Sequence, residues 1–197
     1  MNKLSICGSA GRRNDADFIT AQLFSGIVKQ SQLFLEYLHF KKKVTITEII
    51  TGGAAVCDHS GVFLFINKIV PKLTLHLPAE WDHQLCRFQE ITQSCPGSIA
   101  NYYHKQFQKK TKIPSFDDIA AAIEMGAVVE VTPGFKERNV RIAKEGELLL
   151  AMTFGEKHKL KESGGSTHCF ENFSAFHGLD NIYHMNLPEC KIYKVKK

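Results

Sequence analysis

The run Leu148–Thr153 (LLLAMT) restricts the fold of this chain more than any other stretch. It has the length of a strand and contains no charged residue, which is typical of a strand covered on both faces of a parallel sheet. A polar loop, Phe154–Ser163, follows it and leads to the glycine pair Gly164–Gly165. We therefore predict a buried strand, a loop and then a helix that begins at the glycines.

The rest of the chain alternates between two patterns. Segments rich in apolar and β-branched residues have the length of strands, and longer segments between them carry apolar residues at helical spacing. The predicted strands are Lys3–Cys7, Thr45–Ile50, Lys72–Leu77, Ala127–Val131, Leu148–Thr153 and Asn181–Asn186. The predicted helices are Asp17–Tyr37, His59–Asn67, Ser98–Gln108, Ser115–Met125 with a capping box at Ser115–Asp118, one that carries Arg138, and one after Gly165. This alternation predicts an α/β fold, a Rossmann-like open and mostly parallel sheet with helices on both faces.

The 197 residues suit one domain with a substantial core, and neither a repeat nor a linker divides them. We predict a single domain over residues 1–197, in which the lysine-rich tail 188–197 extends an edge of the sheet or is partly disordered. No apolar run approaches the length of about 18 residues that a membrane span needs. No signal-peptide pattern precedes Gly8, so we expect a cytoplasmic protein without a membrane partner.

Charge, cysteines and histidines limit the classes of ligand. The formal net charge is +5, from 25 basic and 20 acidic residues, which mildly favours anionic ligands but does not form a nucleic-acid stripe. Six cysteines are scattered without a CxxC pair, as expected for reduced thiols of an intracellular protein. Nine histidines show no metal-ligand spacing such as HExxH, and we predict neither a metal site nor a cofactor.

Glycine-rich loops follow three of the predicted strands, at Gly8–Gly11, Gly52–Gly53 and Gly164–Gly165. In open α/β sheets, ligands bind outside the carboxyl ends of the strands. Three such loops at one edge favour a ligand of nucleotide size. The third loop, Gly164-Gly165-Ser166-Thr167, opens onto a helix, whose free N–H groups and positive dipole end make a phosphate cradle. The alternative for this loop is an ordinary capped turn in which glycine serves the backbone geometry.

The order of these motifs resembles the SLOG superfamily, the Rossmann-like fold of the lonely-guy phosphoribohydrolases and of DNA-processing protein A. Cys7–Arg13 (CGSAGRR) is similar to the opening loop of that family, and Thr51–Asp58 (TGGAAVCD) to its second glycine turn. Phe135–Ala151 is similar to its arginine helix and the following strand, and Gly164–Glu171 to the lonely-guy PGGxGTxxE motif. The resemblance covers Lys3 to about Asn186.

The resemblance implies catalytic roles for Arg138 and Glu171. It also implies a homodimer, because lonely-guy enzymes complete their sites across a dimer interface. The chain departs from the family's motifs at four positions: Ser163 replaces proline, Thr167-His168 replaces Gly-Thr, and Asn139 replaces the lysine that follows the arginine. These departures affect the hydrolase chemistry more than nucleotide binding.

The candidate ligand-binding residues come from the three loops and the arginine helix. They are Gly8, Ser9, Arg12, Arg13, Gly52, Gly53, Asp58, Asn139, Gly164, Gly165, Ser166 and Thr167. Asp58 either accepts hydrogen bonds from ribose hydroxyls or caps the helix that follows it. Trp81, Tyr102 and Tyr103 either stack on a base or cover the core.

Two functions follow from these residues and remain open. The first is a phosphoribohydrolase that cleaves the N-glycosidic bond of a nucleoside 5′-monophosphate with Arg138 and Glu171. The second is a module that binds a nucleotide-derived ligand without chemistry on it. A single-strand nucleic-acid binder ranks below both, because the net charge is modest and there is no aromatic RNA-binding motif.

Overall fold

The computed structural model describes residues 2–158 and 164–195. Within these residues, nine strands form two sheets. The strands are β1 (Lys3–Gly8), β2 (Glu48–Thr51), β3 (Lys72–Leu77), β4 (Trp81–Asp82), β5 (Arg87–Phe88), β6 (Val128–Val131), β7 (Leu148–Thr153), β8 (Ile182–Asn186) and β9 (Lys191–Lys194). The helices are α1 (Ala21–Lys42), α2 (Cys57–Ile66), α3 (Pro96–Thr111), α4 (Ser115–Glu124), α5 (Phe135–Glu145) and α6 (Gly165–His177).

The main sheet has the strand order β6-β3-β2-β1-β7-β8-β9. All neighbouring strands pair in parallel except β9, which is antiparallel to β8. The chain builds outward from β1 to one side and then returns to add β7 on the other side. The carboxyl ends of β1 and β7 therefore flank a topological switch point, where ligands of open α/β sheets bind. The predicted open, mostly parallel sheet is confirmed.

Helices cover both faces of this sheet, as the alternation of patterns predicted. Residues of β7 divide between the two cores: Leu148, Leu150 and Met152 pack with the helices α1 to α4, whereas Leu149 and Ala151 pack with α5 and α6. Every residue of β7 is buried. The prediction that Leu148–Thr153 is covered on both faces is therefore confirmed, and the physical reason is its central place in the sheet.

The first helix begins later than its apolar spacing predicted. Residues Arg13–Phe18 form a short 3-10 helix, and α1 begins at Ala21. The Thr20 hydroxyl accepts a hydrogen bond from the N–H of Leu23, which fixes the new start. Lys43 ends the helix in a left-handed conformation with φ 57°.

The capping box predicted at Ser115–Asp118 is wrong. Helix α4 does begin at Ser115, but its N-cap residue is Pro114 and no side chain caps it. The Ser115 hydroxyl instead bonds to His104, and Asp118 bonds to His59, 2.9 Å away in each case. Tertiary partners have taken both side chains away from the local motif.

Two other segments acquire structure that periodicity did not resolve. The crossover 79–96 contains the two-stranded hairpin β4–β5, in which Trp81 packs edge-on against Phe88. The tail forms β9, so the prediction of an edge extension is confirmed for Lys191–Lys194. No helix among residues 2–158 and 164–195 is long and apolar enough to cross a membrane.

Candidate functional site

A cavity of about 540 Å³ lies at the carboxyl ends of β1 and β7. Its walls come from five parts of the chain: the loop after β1, the start of α2, one face of α3, and the N-terminal turns of α5 and of α6. The lining residues include Gly8, Ser9, Arg12, Arg13, Asp15, Asp58, Tyr103, Phe135, Arg138, Asn139, Gly164, Gly165 and Ser166. Sites for small molecules usually measure about 300–1,000 Å³, so this cavity has a suitable size.

The loop after β1 enters the cavity through a close approach to α2. A Cβ atom at Gly8 would lie 2.4 Å from Cβ of Cys57 and 2.6 Å from the carbonyl oxygen of Met152. Only glycine fits there, for this steric reason. Beyond it, the Ser9 hydroxyl donates a hydrogen bond to Asp15 (2.9 Å) and accepts one from the N–H of Gly11 (3.2 Å). The loop is therefore held by its own side chains.

Arg138 and Asp58 face each other in the floor of the cavity. Their side chains are almost fully buried, with residue exposures of 7% and 2%. Nη1 of Arg138 donates to the carbonyl oxygen of Gly52 at 3.0 Å, and Nη2 lies 3.9 Å from Oδ2 of Asp58. The Asp58 carboxylate also accepts hydrogen bonds from the N–H groups of Gly8 (3.1 Å) and Ala54 (3.4 Å).

Burial and charge oppose each other in this pair. Burial raises the pKa of Asp58, while the Arg138 charge and the backbone donors pull it down. Burial likewise lowers the pKa of Arg138, and Asp58 opposes that change. Nε of Arg138 is buried and finds no hydrogen-bond acceptor among the described residues. A buried donor without a partner is costly, and this one lies on the side of the guanidinium that faces Gly52.

The N-terminus of α6 is the second donor group of the cavity. Gly164 has φ 130°, a conformation that favours glycine, and no side chain among residues 2–158 and 164–195 caps the helix. Asn139 connects this turn to the arginine: its Nδ2 donates to the carbonyl oxygen of Gly165 at 2.9 Å, and its Oδ1 accepts from Arg138 at 3.4 Å. Asn139 therefore joins α5 to α6.

Two further arginines line the cavity from the loop after β1. The guanidinium of Arg12 lies between two rings, 5.3 Å from the centroid of Tyr103 and 5.1 Å from that of Phe135. These distances fit cation–π contacts on both sides. Arg13 lies beside it with φ 53°. Both arginines are exposed, so the mouth of the cavity is basic.

Gly52 and Gly53, predicted to bind ligand, lie behind the cavity instead of lining it. A Cβ atom at Gly52 would lie 2.6 Å from Cζ of Arg138 and 2.8 Å from Oδ2 of Asp58. The carbonyl oxygen of Gly53 accepts a hydrogen bond from Nε2 of His104 at 2.9 Å. This loop therefore makes room for the buried pair of Arg138 and Asp58.

The structure does not bring Glu171 to Arg138. Glu171 is the seventh residue of α6, is exposed, and does not line the cavity. Thr167 also lies outside the lining. Among the described residues, the carboxylates that line it are Asp58 and Asp15. Asp58 therefore takes the place beside the arginine that the resemblance assigned to Glu171.

The aromatic candidates divide between the two alternatives. Tyr103 lines the cavity, and it also lines a second, smaller cavity of about 210 Å³. The exposed Tyr102 lines only the smaller cavity. Trp81 is buried against Phe88 and Phe116 and covers the core.

Sequence reasoning missed Phe135 and His104 as parts of the site. Phe135 follows Gly134 at the start of the helix that carries Arg138, and only this position in the sequence could have indicated that it lies at the site. No local sequence signal marks His104, because its contact with the site, a hydrogen bond to the carbonyl oxygen of Gly53, joins distant parts of the chain.

Comparison with known proteins gives one informative match. No protein-family model matches the chain. Over 159 residues it is 32% identical to "Uncharacterized protein R261" of Acanthamoeba polyphaga mimivirus, an alignment that covers 80% of this chain and 84% of the viral protein.

Proposed function

The chain belongs to the same protein family as the mimivirus protein R261, and we propose that it is a SLOG-type protein that binds a nucleotide or a nucleotide-derived ligand. One observation carries the proposal: the buried Arg138 lines the same cavity as the N-terminus of α6, to which the described residues supply no side-chain cap. Two donor groups for one anion, at the carboxyl edge of a Rossmann-like sheet, suit a phosphate.

The remaining walls support the rest of such a ligand. The exposed Arg12 and Arg13 add positive charge at the mouth, and Tyr103 offers an aromatic face to a base. The Asp15 and Asp58 carboxylates are acceptors for ribose hydroxyls. The resemblance also implies a homodimer. Sedimentation equilibrium measures the mass of the assembly in solution.

Binding is tested by calorimetry with a panel of nucleoside 5′-monophosphates and the matching nucleosides. We expect the monophosphates to bind at least tenfold more tightly, since a charge-assisted phosphate contact contributes about 1.5–3 kcal/mol. Arg12→Ala removes an exposed lining cation and should weaken monophosphate binding about tenfold or more. Arg141→Ala is the matched control, because Arg141 is exposed on α5 but lies outside the cavity lining. Equal affinity for nucleosides and monophosphates would contradict the phosphate site.

A second candidate function, a phosphoribohydrolase, is favoured by the Asp58 carboxylate in the cavity floor. Water would replace the base at C1′ of the ribose, releasing the free base and ribose 5-phosphate. Positive charge develops on the sugar in the transition state of such a reaction, and a nearby carboxylate stabilises it.

Chromatography of the same nucleotides after incubation with the protein detects base release. In a hydrolase of this geometry, Asp58→Asn should cut turnover roughly a hundredfold or more, whereas the exposed Glu171→Gln should change it little. Circular dichroism checks that the Asp58 variant is folded. If the wild-type protein binds nucleotides but releases no base, only the function of a ligand-binding module without chemistry remains. If Glu171→Gln abolishes base release and Asp58→Asn does not, the catalytic residues are Arg138 and Glu171, as the resemblance implied.

A further inference from the structure

His76, Glu130 and Glu145 form a cluster that is separate from the ligand cavity. His76 lies on β3 and Glu130 on β6, where the two residues are register partners in neighbouring parallel strands. Glu145 is the last residue of α5, which packs on the same face of the sheet. One ligand atom from each of the three lies within 4.8 Å of the others. None of these residues lines the cavity described above.

The hydrogen bonds of His76 define which of its nitrogens is free. Its Nε2 lies 2.9 Å from Oε2 of Glu145. Since an ionised carboxylate only accepts, Nε2 carries the hydrogen and the neutral ring has its lone pair on Nδ1. The imidazole is fully buried, and Nδ1 makes no hydrogen bond within the described residues.

The unpaired nitrogen points at a carboxylate. Nδ1 of His76 is 3.6 Å from Oε2 of Glu130, which is too long for a hydrogen bond. A lone pair and a carboxylate repel each other at this distance unless a cation lies between them. Zinc–nitrogen and zinc–oxygen bonds of about 2.0–2.2 Å at a tetrahedral angle place two ligand atoms about 3.4 Å apart. The observed separation is close to that value.

We propose that Nδ1 of His76 and the carboxylate of Glu130 bind a divalent transition metal ion, with zinc as the best fit. An imidazole ligand favours zinc and its neighbours over magnesium and calcium. Glu145 serves as the carboxylate that orients the histidine, since a metal-binding histidine commonly donates its other N–H to such a group. Half of the Glu130 side chain is exposed, which leaves the remaining coordination positions to water.

The charge of the cluster supports a cation independently. Glu145 ends α5, where an anion meets the negative end of the helix dipole. Two carboxylates therefore share one small region, and within the described residues their ion pairs run only to His76. A bound ion would offset this charge and would join β3, β6 and, through Glu145, the end of α5. The ion would therefore have a structural role. It would fix the end of α5, the helix that carries Arg138 in its first turn.

The experiment uses the full chain, stripped with a chelator and then dialysed to equilibrium against zinc chloride. Glu130→Gln keeps the size of an exposed side chain, so it should fold normally. We expect the wild-type protein to hold one more zinc ion per chain than Glu130→Gln, and Glu145→Gln to bind that ion about 10–100-fold more weakly. Glu124→Gln, an exposed glutamate at the end of α4, is the matched control and should keep it.

Thermal unfolding supplies a readout that zinc held by the cysteines does not imitate. Saturating zinc should raise the midpoint of the wild-type protein and of Glu124→Gln, because a ligand that binds the folded state stabilises it. It should not raise that of Glu130→Gln. Equal zinc binding by wild type and Glu130→Gln would overturn the proposal. A midpoint that responds to pH but not to zinc would also overturn it, since the cluster would then hold only a proton.

Discussion

His104 shows how a single buried residue supports the cavity without lining it. Its Nε2 donates to the carbonyl oxygen of Gly53, and its Nδ1 accepts from the Ser115 hydroxyl, each at 2.9 Å. These two bonds fix the tautomer, because a carbonyl oxygen only accepts. The ring is fully buried and holds the loop whose other glycine, Gly52, bonds to Arg138.

Burial lowers the pKa of His104 to about 3, with His59 acting in the same direction and the Gly53 bond against it. The folded pKa lies below the unfolded value of about 6.5, so the stability from this residue is fully present above pH 6.5 and is lost as pH falls towards 3. When the pH falls from 7.5 to 5.5, the unfolding free energy should decrease by about 1.4 kcal/mol because of this one group. His184, whose pKa burial also lowers, adds a loss of the same sign.

Urea denaturation at the two pH values measures this loss. His104→Gln keeps an amide that can donate to Gly53 but removes the titrating ring, so its pH-dependent loss should be smaller than that of wild type by about 1.4 kcal/mol. His39→Gln, which changes an exposed histidine, is the control. An identical pH dependence in wild type and His104→Gln would contradict the assigned burial.

At the scale of one element, the N-terminus of α6 is the part that most resembles a ready anion site. The helix has 13 residues, begins after a glycine in a left-handed conformation, and has no side-chain cap from the part of the chain that the structure describes. Ser166 lies in its first turn and lines the cavity. The helix dipole favours negative charge in this turn whether the charge comes from a ligand or from the protein itself.

Ser166→Asp separates these two sources of charge. A carboxylate in the first turn should stabilise the folded protein by about 0.3–1 kcal/mol through the dipole. The same carboxylate should occupy the space and repel the charge of a phosphate, so binding of nucleoside monophosphates should fall below detection. Denaturation and calorimetry measure the two effects on one sample, and Ser166→Ala controls for loss of the hydroxyl. A variant that binds the monophosphates as well as wild type would remove α6 from the phosphate site.

At the scale of the whole molecule, the fold could be predicted because its signals are local. The uninterrupted apolar run of β7 and the helical spacing of α1 each reflect burial that a short stretch of sequence records. The three glycine loops predicted the correct edge of the sheet for the cavity. The sequence could not predict which of these loops binds the ligand, because this depends on which loop lines the cavity and which lies behind it. Gly52 carries the same sequence signal as Gly165 but lies behind Arg138.

The cluster at His76 was beyond sequence reasoning for a different reason. Its residues become neighbours only because β6 pairs with β3 and α5 returns across that pair. Ligand spacing along the chain carries no trace of this arrangement. The same holds for Ser115 and Asp118, whose motif predicts a local cap while their partners lie on other helices.

The edge strand β9 gives a prediction for the whole molecule. It pairs with β8, where Tyr183 is opposite Lys194, and it leads to Val195, which is buried in the core under α6. Deletion of residues 191–197 should lower the unfolding free energy by at least about 3 kcal/mol, because it removes a buried valine and the hydrogen bonds of a strand. Thermal and urea denaturation measure the change. Deletion of residues 196–197 alone is the control, and equal stability of the two truncated proteins would contradict the role of β9.

The strand order has a consequence for the time course of folding. Leu4 of β1 pairs with Ile49 on one side and with Leu148 on the other, so the second pairing of this strand closes a loop that spans most of the chain. Pairings between distant parts of a sequence form slowly, since a long loop must close before any contact compensates for the lost entropy. Pulsed hydrogen exchange during refolding should therefore show protection of the β1–β2 and β2–β3 pairings before that of the β1–β7 pairing. Because the cavity lies where β1 meets β7, it is among the last parts of a newly made molecule to take shape.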